Sequence, residues 1–308
     1  MPGGAAFSAF GCGSSSMTQH RSGFASFVGR PNVGKSTLAN AIVGKKVAIT
    51  SSKPQTTRKA IRGIRNTSQG QLVIVDTPGF HKPRTLLGKR LNAVVEETLS
   101  EVDLICFCTP ANEKLGPGDA RVVAEMERFG RAKKVAIVTK TDLASKEQTA
   151  AHLLAVSQMR DWDEIVPVSA ITGTQLETLT SVLVSHLPEG PQLYPEGVTG
   201  EEELEDHICE LIREAALEKL EDELPHSLAV TLDEIVQDEN RVFASIWVER
   251  DSQKGIVIGK GGSNLKAIGS EARANIEGLL GHKIHLALQV RVSANWQRDP
   301  KKLGKLGF

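Results

Sequence analysis

Gly29-Arg30-Pro31-Asn32-Val33-Gly34-Lys35-Ser36 follows the pattern G-x-x-x-x-G-K-[ST] and lies between two complementary segments. Before it, Phe24–Val28 is a short apolar run that reads as a buried strand. After it, Thr37–Val43 spaces its apolar residues as a helix does. Strand, glycine loop and helix in this order commit the chain to a phosphate-binding α/β fold. The glycines let backbone N–H groups turn inward around an anion, and the helix N-terminus adds donors and a favourable dipole. Gly29 to Ser36, with Thr37, are therefore the expected nucleotide ligands. Lys35 is expected to reach the β- and γ-phosphates and Ser36 to ligate Mg²⁺.

The pattern continues downstream. Strand candidates Leu72–Val75, Leu104–Cys108, Val135–Val138 and Ile165–Val168 alternate with helix candidates Leu86–Glu101, Gly118–Phe129, Ala144–Met159 and Thr174–His186. This alternation, over 22–190, predicts a mostly parallel sheet with helices on both faces. Ligands in such sheets bind beyond the carboxyl ends of the strands, and each further motif follows a strand. Asp76-Thr77-Pro78-Gly79 supplies a carboxylate that can hold Mg²⁺ through water and a Gly79 N–H that can meet the γ-phosphate. In Gln55-Thr56-Thr57-Arg58 a hydroxyl can complete the Mg²⁺ shell of the triphosphate state, with Thr57 favoured over Thr56. Lys35, Thr57, Asp76 and Gly79 are thus the expected catalytic group, and Ser36, Thr57 and Asp76 the expected metal ligands.

Thr139-Lys140-Thr141-Asp142 reads as the base-selecting motif. Asp142 can accept two hydrogen bonds from guanine, from N1–H and the N2 amino group. Adenine has neither donor and would leave the carboxylate unpaired. The Lys140 stem can pack along the base, and Ser169-Ala170 can offer backbone N–H to guanine O6.

Leu187-Pro188-Glu189-Gly190-Pro191 and Pro195-Glu196-Gly197 punctuate the chain, and 191–202 is expected to be a linker. The acidic run Glu201–Asp206 leads into a helix ending near Leu220 and reads as a solvated helix start. Two strand-like segments follow, Ser227–Gln237 and Arg241–Glu249. Next come Gly259-Lys260-Gly261-Gly262, a helix over Ser263–Leu280 and a strand over Lys283–Val292. By itself, the glycine loop could be a plain turn or a second phosphate loop. From Arg291 the tail is basic (Arg291, Arg298, Lys301, Lys302, Lys305, against Asp299) and reads as a solvated end or an RNA-binding arm. Residues 1–21, rich in Gly, Ser and Ala, read as a disordered tail. Met17 lies closer to the first strand, which suggests Met1–Ser16 as an over-extended start.

With 37 basic and 37 acidic residues the chain carries no net charge, so a nucleic-acid surface has to come from local segregation. No apolar stretch is long enough to span a membrane, and the N-terminus lacks a signal peptide's order. Cys12, Cys106, Cys108 and Cys209 show no C-x-x-C spacing and read as small hydrophobes of a reducing cytoplasm.

The ordered set GRPNVGKS, QTT, DTPG, TKTD and VSA resembles the translation-factor class of GTPases. Pro31-Asn32 and Gly79-Phe80-His81-Lys82-Pro83 narrow the resemblance to the Era GTPases, over about Gly23 to Val292. The C-terminal order resembles a type II KH domain, whose G-x-x-G loop clamps the backbone of single-stranded nucleotides. The resemblance implies a GTPase domain over 22–190 and an RNA-binding domain over 203–308. It implies GTP/GDP and Mg²⁺ as ligands. It also implies single-stranded RNA on Gly259, Lys260, Gly261, Gly262 and Lys266. The expected partners are the 3′ region of 16S rRNA and the 30S subunit, whose maturation such proteins assist.

Position 139 is Thr where this family usually has Asn, so the brace between base motif and P-loop rests on one hydroxyl. Phe80 stands where small signalling GTPases carry a water-orienting Gln, and slow intrinsic turnover is expected. Asn32 resembles the asparagine of K⁺-using GTPases. A cytoplasmic monomer is expected. Era relatives touch the inner membrane surface peripherally, although no amphipathic anchor is evident here. Two other readings remain open: an RNA-binding assembly protein with a vestigial nucleotide site, and a tRNA-modification-type GTPase. The latter family ends in a cysteine motif that Lys301–Phe308 lacks.

Overall fold

The structure, a computed structural model, describes residues 20–308 apart from 52, 54, 55, 80–84, 202 and 221–223. The first unit alternates β1 (Arg21–Val28), α1 (Lys35–Val43), β2 (Ile61–Asn66), β3 (Gly70–Asp76), α2 (Leu86–Glu101), β4 (Leu104–Pro110), α3 (Pro117–Met126), β5 (Lys133–Thr139), α4 (Lys146–Ser157), β6 (Glu164–Pro167) and α5 (Leu176–His186). Its sheet order is β2-β3-β1-β4-β5-β6. Only the β2–β3 pairing is antiparallel. Strands β3 and β4 are buried at every position, as expected for central strands covered on both faces. One layer packs α1 and α5 on the sheet through Leu38, Ile42, Leu179 and Leu183. The other packs α2 and α3 through Val95, Leu99, Val122 and Met126. The edge strand β2 had no counterpart in the sequence reading. Its Ile-Arg-Gly-Ile-Arg-Asn pattern is half polar and too short to stand out against a loop.

Local chemistry sets the helix ends. The Thr85 hydroxyl accepts from the Gly88 N–H at 3.1 Å and starts α2. Ser145 and Gln148 form a reciprocal capping box on α4. Asp119 accepts the Gly116 N–H at 2.9 Å at the start of α3, where Pro117 occupies the first turn.

The second unit contains α6 (Leu204–Lys219), β7 (Ala229–Val236), β8 (Arg241–Val248), α7 (Asp251–Ile258), α8 (Ser263–Leu280), β9 (His285–Val292) and α9 (Pro300–Lys305). Its sheet runs β7-β8-β9, with β8 and β9 parallel. Helices α6, α7 and α8 cover it through Ile208, Ile212, Val257, Ile268 and Ile276. This is a six-stranded, mostly parallel sheet with helices on both faces, followed by an α+β unit built on a three-stranded sheet.

Two segments differ from the sequence reading. Of the expected linker, 191–201 is fastened down: Gln71 accepts the Leu193 and Tyr194 N–H groups, each at 2.8 Å, and Ile64 N–H donates to the Thr199 carbonyl at 3.0 Å. The basic tail does not end in solvent. Trp296 is fully buried, stacks on Phe308 with ring centroids 5.6 Å apart, and joins Leu303 and Leu306 against Leu87 and Leu91 of α2. Counting charges hid the apolar spacing of Trp296, Leu303, Leu306 and Phe308. Residue Arg21, placed at the end of the tail by the sequence, already belongs to β1.

Candidate GTP site and RNA loop

The nucleotide motifs converge on one cavity of about 710 Å³, lined by Asn32, Gly34, Lys35, Ser36, Thr37, Thr57, Thr77, Gly79 and Lys140 among others. That size suits a small-molecule ligand. The loop folds tightly because Gly29 runs so close to β4 that a Cβ would meet the Cys108 carbonyl at 2.5 Å. The Lys35 ammonium is buried and donates to the carbonyls of Gly29 and Arg30, at 3.2 and 3.0 Å. Burial pulls its pKa below the usual lysine value, with Asp76 acting in the opposite direction. Gly79 lies alongside: a Cβ there would stand 3.8 Å from Lys35 Nζ. The Arg30 side chain turns away from the cavity and pairs with Asp119 at 2.8 Å and Glu113 at 3.1 Å.

Three oxygens meet at the candidate metal position. Ser36 Oγ and Thr57 Oγ1 donate to Asp76 Oδ2 at 2.7 and 3.0 Å, and the two hydroxyls are 3.2 Å apart. Burial pushes the Asp76 carboxyl above its ordinary value, against hydrogen bonds from Ser36 and Thr57 and the nearby Lys35. Asp76 Oδ1 and Thr77 Oγ1 are buried and lack a hydrogen-bond partner among the described residues. Buried polar atoms are normally paired. A hard, oxygen-seeking cation with its waters fits this donor set. Ser36, Thr57 and Asp76 are the residues that would hold Mg²⁺, which supplies charge neutralisation between β- and γ-phosphates when bound. Thr56, the second candidate, instead donates its hydroxyl to the Lys53 carbonyl at 2.7 Å. Gln55, Phe80 and the His81–Pro83 motif lie outside the described residues.

At the base end, Lys140 adopts a left-handed backbone (φ 54°) and donates to the Asn32 carbonyl at 2.6 Å. Its stem passes over Gly34, where a Cβ would lie 3.9 Å from Lys140 Cε. The Thr139 hydroxyl reaches the Val33 carbonyl at 2.6 Å, so one hydroxyl does brace the P-loop. Asp142 is exposed and accepts from Ser169 Oγ at 2.6 Å, which orients its carboxylate. Thr141 and Ala170 flank these groups in the same two loops.

Residues 24–141 match the family described as 50S ribosome-binding GTPase, and residues 223–297 match the KH domain family. The chain is 55% identical over 309 residues to GTPase Era of Nocardioides sp., covering 96% of this chain and 99% of the relative. It is 58% identical over 299 residues to GTPase Era of Mycolicibacterium smegmatis, covering 95% of this chain and 100% of that one. The chain belongs to the Era GTPase family. Two solved Era structures have the same fold. One is Era in complex with MgGDPNP and nucleotides 1506–1542 of 16S ribosomal RNA, with TM-score 0.89 and 32% identity, covering 94% of this chain and 99% of that one. The other is a single-residue variant of Aquifex aeolicus Era bound to GDP·AlF4⁻, with TM-score 0.88 and 33% identity, covering 93% of this chain and 99% of that one. Membership makes this Era chain a GTP-hydrolysing enzyme with GTP/GDP and Mg²⁺ as its ligands. A vestigial site and a tRNA-modification GTPase are thereby set aside.

The second motif of this Era chain is a loop between α7 and α8. Gly259, Gly261 and Gly262 have φ of 74°, 61° and 81°. Asn264 closes the loop by donating to the Ile256 carbonyl at 2.9 Å. Lys260, Gly261 and Lys266 are exposed, as is Ile256 on the preceding turn. Two lysine side chains are therefore exposed beside an exposed aliphatic one. Among the described residues no helix is long and apolar enough to cross a membrane.

The sequence reading passed over Arg58, Arg213 and Glu214, which join the two units beside the nucleotide cavity. They lie in a polar loop and on an amphipathic helix, where charges ordinarily mark the wet face. Only their burial sets them apart.

Proposed function

We propose that this GTPase binds the 3′ region of small-subunit 16S rRNA and assists maturation of the 30S subunit. The observation that carries the reading is the exposed Gly259–Gly262 loop of a KH domain in a chain that superposes on Era held with MgGDPNP and 16S rRNA nucleotides 1506–1542. Gly259, Lys260, Gly261, Gly262 and Lys266 clamp the RNA backbone. Gly29 to Thr37, Asp76 to Gly79, Thr139 to Asp142, and Ser169-Ala170 hold GTP. Within that set Lys35 neutralises the phosphates, Ser36, Thr57 and Asp76 hold Mg²⁺, and Asp142 selects guanine. Residues 22–190 form the GTPase domain, 191–202 the connection, and 203–308 the RNA-binding domain.

GTP orders the Thr57 and Gly79 loops and hydrolysis releases them, so RNA affinity follows nucleotide state. Equal RNA affinity with GDP and with a non-hydrolysable GTP analogue would remove that link. Asn32 admits K⁺ as an additional neutralising ion, and equal hydrolysis in K⁺ and Na⁺ would remove that part. The protein works as a cytoplasmic monomer with peripheral access to the membrane face. Fractionation and sedimentation test this: a strictly vesicle-bound or dimeric protein contradicts it.

The deciding experiment is crosslinking in cells, with sequencing of bound RNA, for wild type and Gly261→Asp. Reads concentrated at the 3′ end of small-subunit rRNA and lost in the variant are expected. Reads spread evenly, or unchanged in the variant, overturn the reading.

A further inference from the structure

The segment that carries Thr57 is gripped from the second domain on both sides of that residue. Upstream, Glu214 on α6 accepts from the Thr50 N–H at 2.9 Å and the Thr50 hydroxyl at 3.3 Å, while its other oxygen takes Lys46 at 2.5 Å. Immediately before Thr57, the Thr56 carbonyl accepts from Arg213 Nη2. Immediately after it, Arg58 donates to the Leu228 carbonyl at 2.6 Å and lies over the Phe308 ring, 5.6 Å from its centroid. Arg213 and Arg58 are 1% and 3% exposed, so these contacts are shielded from water.

Thr57 therefore turns its hydroxyl to Ser36 and Asp76 while its two neighbours hold the KH domain. Arg213 is shaped for this task. Its Nε and Nη2 engage Glu210, and Nη2 also reaches the Thr56 carbonyl. A planar fork can hold both partners at once, which an ammonium cannot do in the same geometry. Burial, with the Arg213 charge adding to it, lowers the pKa of Arg58 to about 9.

We infer that Arg213 is a positioning residue for GTP hydrolysis: held between Glu210 and the Thr56 carbonyl, it sets Thr57 at the metal shell, with Glu214 fixing the upstream end of the same segment. The inference rests on Thr57 being a Mg²⁺ ligand of the triphosphate state. GDP does not need Thr57, so the device acts on Mg²⁺·GTP and spares GDP.

The test uses the full-length protein and a double-mutant cycle of Arg213→Ala and Thr57→Ala. The readouts are the Mg²⁺ concentration for half-maximal hydrolysis, kcat, and affinities for GDP and a non-hydrolysable GTP analogue. Arg213→Ala is expected to raise the Mg²⁺ requirement about tenfold, the order expected for a lost hydrogen bond to a charged group, with GDP affinity kept within about twofold. The double variant should be no worse than Thr57→Ala alone, and Arg213→Lys should recover part of the loss. Losses that multiply in the double variant, or equal weakening of GDP and the analogue by Arg213→Ala, overturn the inference. If Thr57→Ala alone leaves the Mg²⁺ dependence unchanged, the reading of Thr57 fails, and that failure appears without any change at Arg213. Should Arg213→Ala not fold, Arg213→Lys and Glu214→Gln carry the same cycle.

Discussion

At the candidate nucleotide site the charged groups are buried and paired within the protein. Asp76 is 1% exposed and Lys35 8% exposed, each held by several neighbours. At the Gly259–Gly262 loop the reverse holds. Lys260 and Lys266 stand in water, and no described side chain but Asn264 shapes the turn. The first arrangement keeps charge in a low-dielectric site where it acts strongly and needs no reorganisation. The second leaves its lysines and an aliphatic side chain exposed to solvent, as a surface proposed for a flexible polymer would be. Small rearrangements at the first should therefore be expensive, and at the second graded.

The largest break in this comparison is Lys35→Ala. It removes the buried cation proposed to face the phosphates, and kcat should fall about 10²–10³-fold, as for removal of a preorganised charge donor. A steady-state assay checks it, and retention of more than a tenth of the rate would show that the buried cation is not what drives hydrolysis. Next is Asp142→Ala. It deletes the acceptor proposed for two guanine donors, and GTP affinity should drop about 10²-fold while ATP affinity stays where it was. Competition binding with both nucleotides reads this out. An equal drop for the two would mean that Asp142 holds the loop through Ser169 rather than selecting the base.

Much of the candidate nucleotide site was legible because such chemistry needs fixed residue types at fixed places on a strand–loop–helix frame. Gly29 must avoid the Cys108 carbonyl, and Lys35 and Ser36 must sit in the first turn of α1. A mostly parallel sheet follows once five apolar runs alternate with helices, but β2 does not announce itself, because an edge strand needs only one buried face. The Thr57 position was legible only as one of two threonines, and packing decided which one faces Asp76. Contacts between the units left no trace. Arg213 and Glu214 look like any charged pair on an amphipathic helix, and Trp296 and Phe308 sit inside a basic tail. Such features depend on which surfaces meet, and no local pattern encodes that.

The graded end of the comparison is sharpened by Gly259→Val. A Cβ there would lie 2.8 Å from the Asn264 side chain, on a backbone with φ of 74° that branched residues avoid. RNA affinity should fall about tenfold, the order of about 1.4 kcal/mol. Fluorescence anisotropy with a single-stranded oligoribonucleotide measures it. Gly261→Ala, where a Cβ meets nothing within 4 Å, should cost less. If Gly261→Ala proves the more damaging, close approach of RNA rather than loop geometry dominates, and the loop is more tightly constrained than the comparison allows.

The smallest effect concerns two thiols, one from each region. Cys108 forms the floor beneath the P-loop, and burial pushes its thiol up to about 12. Cys209 on α6 is also pushed up to about 12 by burial, with Asp206 and Glu210 adding to the shift, although it is not fully enclosed. Both stay protonated in the native state while the unfolded chain ionises above about 9. The folded state thus binds more protons between those values, and its stability falls as pH rises from about 9 to about 12. Near pH 8 neither native thiol is a reactive thiolate, so alkylation has to follow local opening. Peptide-level mass spectrometry after timed iodoacetamide treatment should find Cys209 modified first. Cys108 should be slower, and slower again with Mg²⁺ and a GTP analogue bound, because a ligand that binds the closed site suppresses opening. Equal rates for the two thiols would mean that the floor of the nucleotide site opens as readily as the second domain's helix, and the contrast in preorganisation between the regions would not hold.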